Sequence, residues 1–154
     1  MAPEPIKVVA TNRKAAHDYF LEDRYEAGIV LTGSEIKSVR AGRINLRDSY
    51  VQPKDGELWL YNAHIAPYEP AHRQGHEPRR PRKLLLHRHE IARLIGQVQQ
   101  KGYTIIPTQV YLRRGRAKVE IALARGKRQY DKRAAISKRE AQRQIERALK
   151  ERER

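Results

Sequence analysis

Histidines and carboxylates are the residues of this chain whose types and spacing could do chemistry. His72 and His76 stand four residues apart, with His64, His87 and His89 nearby in the sequence. Two imidazoles at i and i+4 can share a zinc ion, but only where a helix stacks them on one face. Pro70 precedes this stretch and Gly75 interrupts it, and neither residue suits a helix interior. No metal site and no cofactor is therefore expected. His17-Asp18 has the composition of a nuclease acid/base pair, which needs groups that titrate near neutral pH. Adjacent residues on a helix or strand do not converge on one reacting atom, so a base or phosphate contact is the better reading of His17. Neither a G-x-x-x-x-G-K-[ST] phosphate loop nor a G-x-S-x-G elbow occurs. These residues point to a binding protein rather than an enzyme.

The remaining chemistry is electrostatic. The formal net charge is +15 over 154 residues. Residues 1–124 carry 21 basic and 13 acidic side chains, and residues 125–154 carry 12 and 5. Excess positive charge on both parts implies a polyanionic partner, either nucleic acid or an anionic membrane surface. No apolar run is long enough to span a bilayer, and MAPEPIKVVATNRK lacks the apolar centre of a signal peptide. There is no cysteine, which excludes disulfides and thiolate metal sites and suits a cytoplasmic protein without a membrane partner.

The elements that must position these groups are mostly strands. A short helix is expected over residues 12–17, capped by Thr11 or Asn12. Residues 25–31 alternate, with Tyr25, Ala27, Ile29 and Leu31 on one face. Thr32-Gly-Ser-Glu35 is a capping box that opens a helix through Val39, which Gly42 can end. Residues 46–51 and 58–65 read as strands joined around Lys54-Asp55-Gly56. Residues 87–101 form the clearest helix, with Ile91, Leu94, Ile95 and Val98 as its buried stripe and Gly102 past its end. A hairpin closes the body. Thr104, Ile106, Thr108, Val110 and Leu112 run up one face, Arg114-Gly115 turn, and Ala117, Val119, Ile121 and Leu123 return. Pro107 should sit at an edge or a bulge. Five or six short strands with so few helices predict a mainly β fold. The expected form is an OB-type small closed barrel with about three short helices.

Two segments stand outside this plan. Residues 67–81 hold four prolines, and Arg79, Arg80, Arg82 and Lys83 cluster just before Leu84 as a cationic patch on what should be a flexible arm. The C-terminal thirty residues have only Tyr130, Ile136, Ile145 and Leu149 as large apolar side chains, too few to order them unaided. Yet Ser137 and Glu140 form a capping box, and Ala141, Ile145, Ala148 and Leu149 recur at helical spacing. This is a tail disordered when free and latently helical. The expected organisation is a flexible N-terminus (1–11), the barrel (12–125) and the basic tail (126–154).

Taken together, the motifs resemble a known family. Asn12-Arg-Lys-Ala-Ala-His17-Asp-Tyr19-Phe, Tyr25-Glu26-Ala-Gly and Gly33-Ser-Glu35-Ile-Lys37-Ser38-Val-Arg40-Ala-Gly42 closely resemble SmpB, the SsrA-binding proteins. Asp48-Ser-Tyr50-Val, Arg82-Lys83-Leu84-Leu85-Leu86, Gly102-Tyr-Thr and Gly126-Lys-Arg-Gln-Tyr130-Asp131-Lys132-Arg133 do so as well, in order and without a gap. The resemblance implies a protein that catalyses no covalent step. It implies binding to transfer-messenger RNA (tmRNA, the SsrA RNA) and its delivery, with elongation factor Tu and GTP, to ribosomes stalled on defective mRNA. The body would grip the tRNA-like domain. The tail would enter the decoding centre and the empty mRNA channel, helical once there.

Carried over by resemblance, the tmRNA-binding residues are Asn12, His17, Tyr19, Glu26, Glu35, Lys37, Leu85 and Lys118. Tyr130, Asp131, Lys132 and Arg133 match the decoding-centre segment. Stacking on rings and reading of base edges by Asn or Glu suit a folded RNA. Leu85 would have to pack under an unstacked base, or else belong to the core. Glu26 and Glu35 repel phosphate, so an RNA role needs a base amino group or a buried arginine partner. The capping box already gives Glu35 a structural reason. Tyr130 stands where the family often has His, and Ala16 replaces a commonly basic residue.

Overall fold

The computed structural model describes residues 5–67, 77–127 and Arg143. In chain order the elements are β1 (Ile6–Thr11), α1 (Arg13–Asp18), β2 (Tyr19–Ile29), α2 (Gly33–Arg40), β3 (Ile44–Asn45) and β4 (Tyr50–Lys54). There follow β5 (Glu57–Tyr61), β6 (His64–Ile65), β7 (Arg82–Leu85), α3 (Arg88–Lys101), β8 (Thr104–Arg113) and β9 (Arg116–Gly126). The main sheet runs β1-β8-β4-β5-β7-β2-β9, and β9 pairs again with β8. Six antiparallel strands therefore close into a ring, β8-β4-β5-β7-β2-β9, with β1 appended to β8. The expected mainly β, closed architecture with three helices is present, and β3 and β6 form an additional small pair.

Local chemistry explains most of the boundaries. The α2 capping box is complete: the Thr32 hydroxyl accepts from the Glu35 amide, and Glu35 accepts from the Thr32 amide. The β4–β5 and β8–β9 turns place Asp55-Gly56 and Arg114-Gly115 at positive φ, the two-residue geometry that matches strand twist. Helix α3 buries Ile91 and Leu94, and Gly102 follows it in the left-handed conformation.

Three expectations are corrected. Residues 1–11 are expected to be a flexible N-terminus, but Ile6–Thr11 is a strand, paired with β8 from Arg113 to Gln109 and packing Val9 and Ala10 against the core. Residues 46–49 do not extend the next strand, since Asp48 adopts φ 61° and the Ser49 amide bonds back to the Leu46 carbonyl. The expected face of β8 also changes midway. Ile105 and Val110 lie in the main core, whereas Ile106 joins Ala15 and Ala124 in a second cluster. Two core residues five apart demand an extra residue, and the β8–β9 register indeed shifts between Pro107 and Gln109.

Candidate nucleic-acid interface

Three of the expected site residues come together on the outer face of β2, β7 and β9. Gly28 on β2 pairs with Leu85 of β7 on one side and Lys118 of β9 on the other. Glu26 lies two residues back along β2, on the same face as Gly28, while Ala27 between them points into the core. These residues border a shallow depression of about 520 Å³ together with Leu86, His87 and Glu90. Glycine keeps its floor low: a Cβ at Gly28 would stand 3.2 Å from the Leu85 Cβ, close enough to push that side chain back by a few tenths of an ångström. Leu85 is 51% exposed, which removes the core reading of this residue. An apolar shelf, a cation and a carboxylate around a glycine floor suit a base edge with its neighbouring phosphate.

The Glu26 carboxylate is held in place by residues that sequence reasoning did not single out. Arg113 Nη1 is 3.1 Å from Glu26 Oε2. Tyr111 donates its hydroxyl to Glu26, and burial followed by that bond pushes the tyrosine pKa well above its ordinary value. The Arg113 guanidinium in turn lies over the Tyr111 ring, 5.7 Å from its centre. Tyr111 is the one aromatic of β8 on the face away from Val110, and that break in alternation was its signal.

Asn12, His17 and Tyr19 are placed by α1. Asn12 is buried, and its side chain is consumed by structure. Its Oδ1 accepts from the Ala15 amide at 3.1 Å, and its Nδ2 donates to the carbonyls of Pro107 (2.8 Å) and Leu46 (3.3 Å). The Asn12 amide also donates to Thr108, so this one residue satisfies both carbonyls that the β8 bulge leaves over. His17 is open to solvent, its side chain 66% exposed, with Nδ1 2.8 Å from Asp18 Oδ1. Tyr19 packs half-buried on the Ala15–Ile106–Ala124 cluster. It borders a second depression of about 440 Å³, shared with Asn12, Tyr50 and Tyr103 and built against β4 and β8.

Glu35 and Lys37 lie on α2, apart from both depressions. Lys37 is exposed, whereas Glu35 is 0% exposed. Glu35 meets Arg82 Nε at 2.7 Å and also hydrogen-bonds Arg80. Burial pushes its carboxyl up, but the Arg80 bond, the Thr32 amide and Arg82 together hold it below the ordinary glutamate value. Arg82, also 0% exposed, donates further to Ala63, Glu77 and Pro78 carbonyls. The expected cationic patch is thereby corrected. Arg79 bonds Asn62, Arg80 and Arg82 bond Glu35, and Lys83 approaches Glu57 at 3.9 Å. These cations fasten α2, β5 and β7 together instead of standing on a free arm, because a buried carboxylate is more demanding than solvent. Tyr130, Asp131, Lys132, Arg133, the Ser137–Glu140 capping box and the His72/His76 pair lie outside the described residues.

Comparison with known proteins identifies the family. The family model for SmpB protein matches residues 9–151. An SsrA-binding protein of Roseiflexus sp. (strain RS-1) is 66% identical over 149 residues, covering 96% of this chain and 94% of the relative. One from Shouchella clausii (strain KSM-K16) is 61% identical over 146 residues, covering 95% and 94%. A chain from the solved structure "tmRNA-SmpB: a journey to the center of the bacterial ribosome" superposes with a TM-score of 0.65. It is 50% identical and covers 82% of this chain and 85% of that one. The match runs through β2, β7 and β9 alike and extends into the basic C-terminal residues, and the chain belongs to the SmpB family.

Proposed function

We propose that this protein binds tmRNA and delivers it to stalled ribosomes for trans-translation, without catalysing a covalent step. The observation that carries this reading is the outward row Lys118–Gly28–Leu85 with Glu26 beside it, in a chain whose relatives are SsrA-binding proteins. On this row Leu85 packs under an unstacked base, Glu26 accepts from a base amino group and Lys118 pairs with phosphate. His17 and Tyr19 offer rings to loop bases, and Lys37 adds a phosphate contact. Asn12 and Glu35 act at one remove, by fixing α1 and the α2–β7 junction.

Residues 126–154 form the tail, which leaves the body where β9 ends and becomes helical on the ribosome. There Tyr130 stacks in the decoding centre, Lys132 and Arg133 pair with rRNA phosphates, and Asp131 orients Arg133 or caps a turn. Elongation factor Tu with GTP completes the delivery complex, and the setting is the cytoplasm. The test is competition binding at near-physiological salt, with labelled tRNA-like domain of tmRNA challenged by unlabelled elongator tRNA. Competition a hundredfold or more weaker by tRNA supports shape-specific recognition. Equal competition would leave only charge recognition and overturn the proposal.

A further inference from the structure

Phe20 and Lys127 belong to neither depression, yet they meet where the body hands over to the tail. Lys127 Nζ lies 5.2 Å from the centre of the Phe20 ring and 3.4 Å from the Ala16 carbonyl oxygen. Ala16 is in the last turn of α1, where carbonyls lack helical partners and favour a cation. Phe20 is 43% exposed and outside both core clusters, so packing does not account for an aromatic ring there. A cation over its face does. The preceding residues reinforce the junction. Tyr19 pairs with Gly126 and Phe20 with Arg125, while Arg125 reaches Glu22 at 2.8 Å and lies over the Tyr103 ring.

We propose that Phe20 and Lys127 are positioning residues that fix the root of the C-terminal tail against α1. The inference deepens, and rests on, the tail function proposed above. Tyr130 to Arg133 stand three to six residues beyond Lys127. At about 3.4 Å per residue, a fixed Lys127 confines them within roughly 10–20 Å. With Lys127 released, the ladder pair Tyr19–Gly126 becomes the last fixed point, and the tether to Tyr130 lengthens from three residues to four. For a flexible tether that lengthening lowers the local concentration of Tyr130 at its target about 1.5-fold. The helix that presents His17 thus also sets where the tail begins.

The experiment uses the full chain, which has no cysteine of its own. Spin labels at R13C and Q129C report the distance between α1 and the tail root. The expected result is one narrow distance distribution in the parent and in F20W, which keeps a ring for the ammonium, and a broad one in F20L and K127A. F20L should keep the parent's tmRNA affinity and lose about 1.5-fold in tagging on stalled ribosomes, from the same tether estimate. Equal widths in the parent, F20L and K127A would overturn the anchor. A broad distribution in F20L with undiminished tagging would uphold the anchor and sink the proposed role of the tail instead.

Discussion

Glu26 and Glu35 are the same residue type nine positions apart, and the fold gives them opposite fates. Glu26 stands on the outside of the ring, its carboxylate oriented by Tyr111 and Arg113 but still open to solvent. Glu35 is sealed inside the α2–β7 junction between two arginines. Both meet the requirement set by their charge, which is a cationic or donor partner in place of phosphate. The difference teaches that an acidic residue in a basic RNA-binding protein can serve recognition or architecture, and that burial decides which.

The largest effect expected from this contrast is on stability. E35A leaves Arg82 buried without its carboxylate and should lower the unfolding free energy by about 3–5 kcal/mol in urea titration. A loss below about 1 kcal/mol would mean that the junction is not held by this pair. The converse substitution, E26Q, should leave stability within about 0.5 kcal/mol. Its cost falls on tmRNA affinity, by roughly ten- to a hundredfold, the value of about 1.5–3 kcal/mol for a hydrogen bond to a charged group. Unchanged affinity in E26Q would remove Glu26 from the RNA interface.

Smaller effects sharpen the same contrast. L85A truncates a half-exposed shelf and should weaken tmRNA binding about fivefold, equivalent to about 1 kcal/mol of apolar burial, with no change in melting temperature. K118A should reduce the salt slope of binding by about one phosphate contact, read from affinities at 50 to 200 mM salt. Acid separates the two glutamates as well. Despite its burial, the Glu35 carboxyl is held below the ordinary glutamate value by its bonds to Arg80, the Thr32 amide and Arg82. Its stabilisation is therefore complete above the unfolded value and is lost as pH falls through the depressed native one. Unfolding monitored downward from pH 5 should show this loss in the parent and not in E35Q.

Much of this was legible in the residues themselves. The Asn12 cap and the Thr32–Glu35 capping box, the two turns with Gly at positive φ, the α3 stripe and the returning strand β9 depend on interactions within a few residues, which periodicity and turn chemistry report. The family was legible as well, because Glu26, Leu85 and the tail residues sit inside motifs that recur in order. What tertiary structure alone decided is where each side chain goes. The β8 bulge reverses which residues face the core, and no local signal says on which side of Pro107 the extra residue falls. Asn12 turns inward because its side-chain amide there meets the Pro107 carbonyl at the bulge together with that of Leu46. Arg79, Arg80, Arg82 and Lys83 read as a free cationic patch until α2 brings Glu35 against them and β5 brings Glu57. Charge and periodicity are properties of the sequence. Desolvation is not, since it depends on which distant residues close over a group, and it separates the glutamate that holds the fold from the one left to meet RNA.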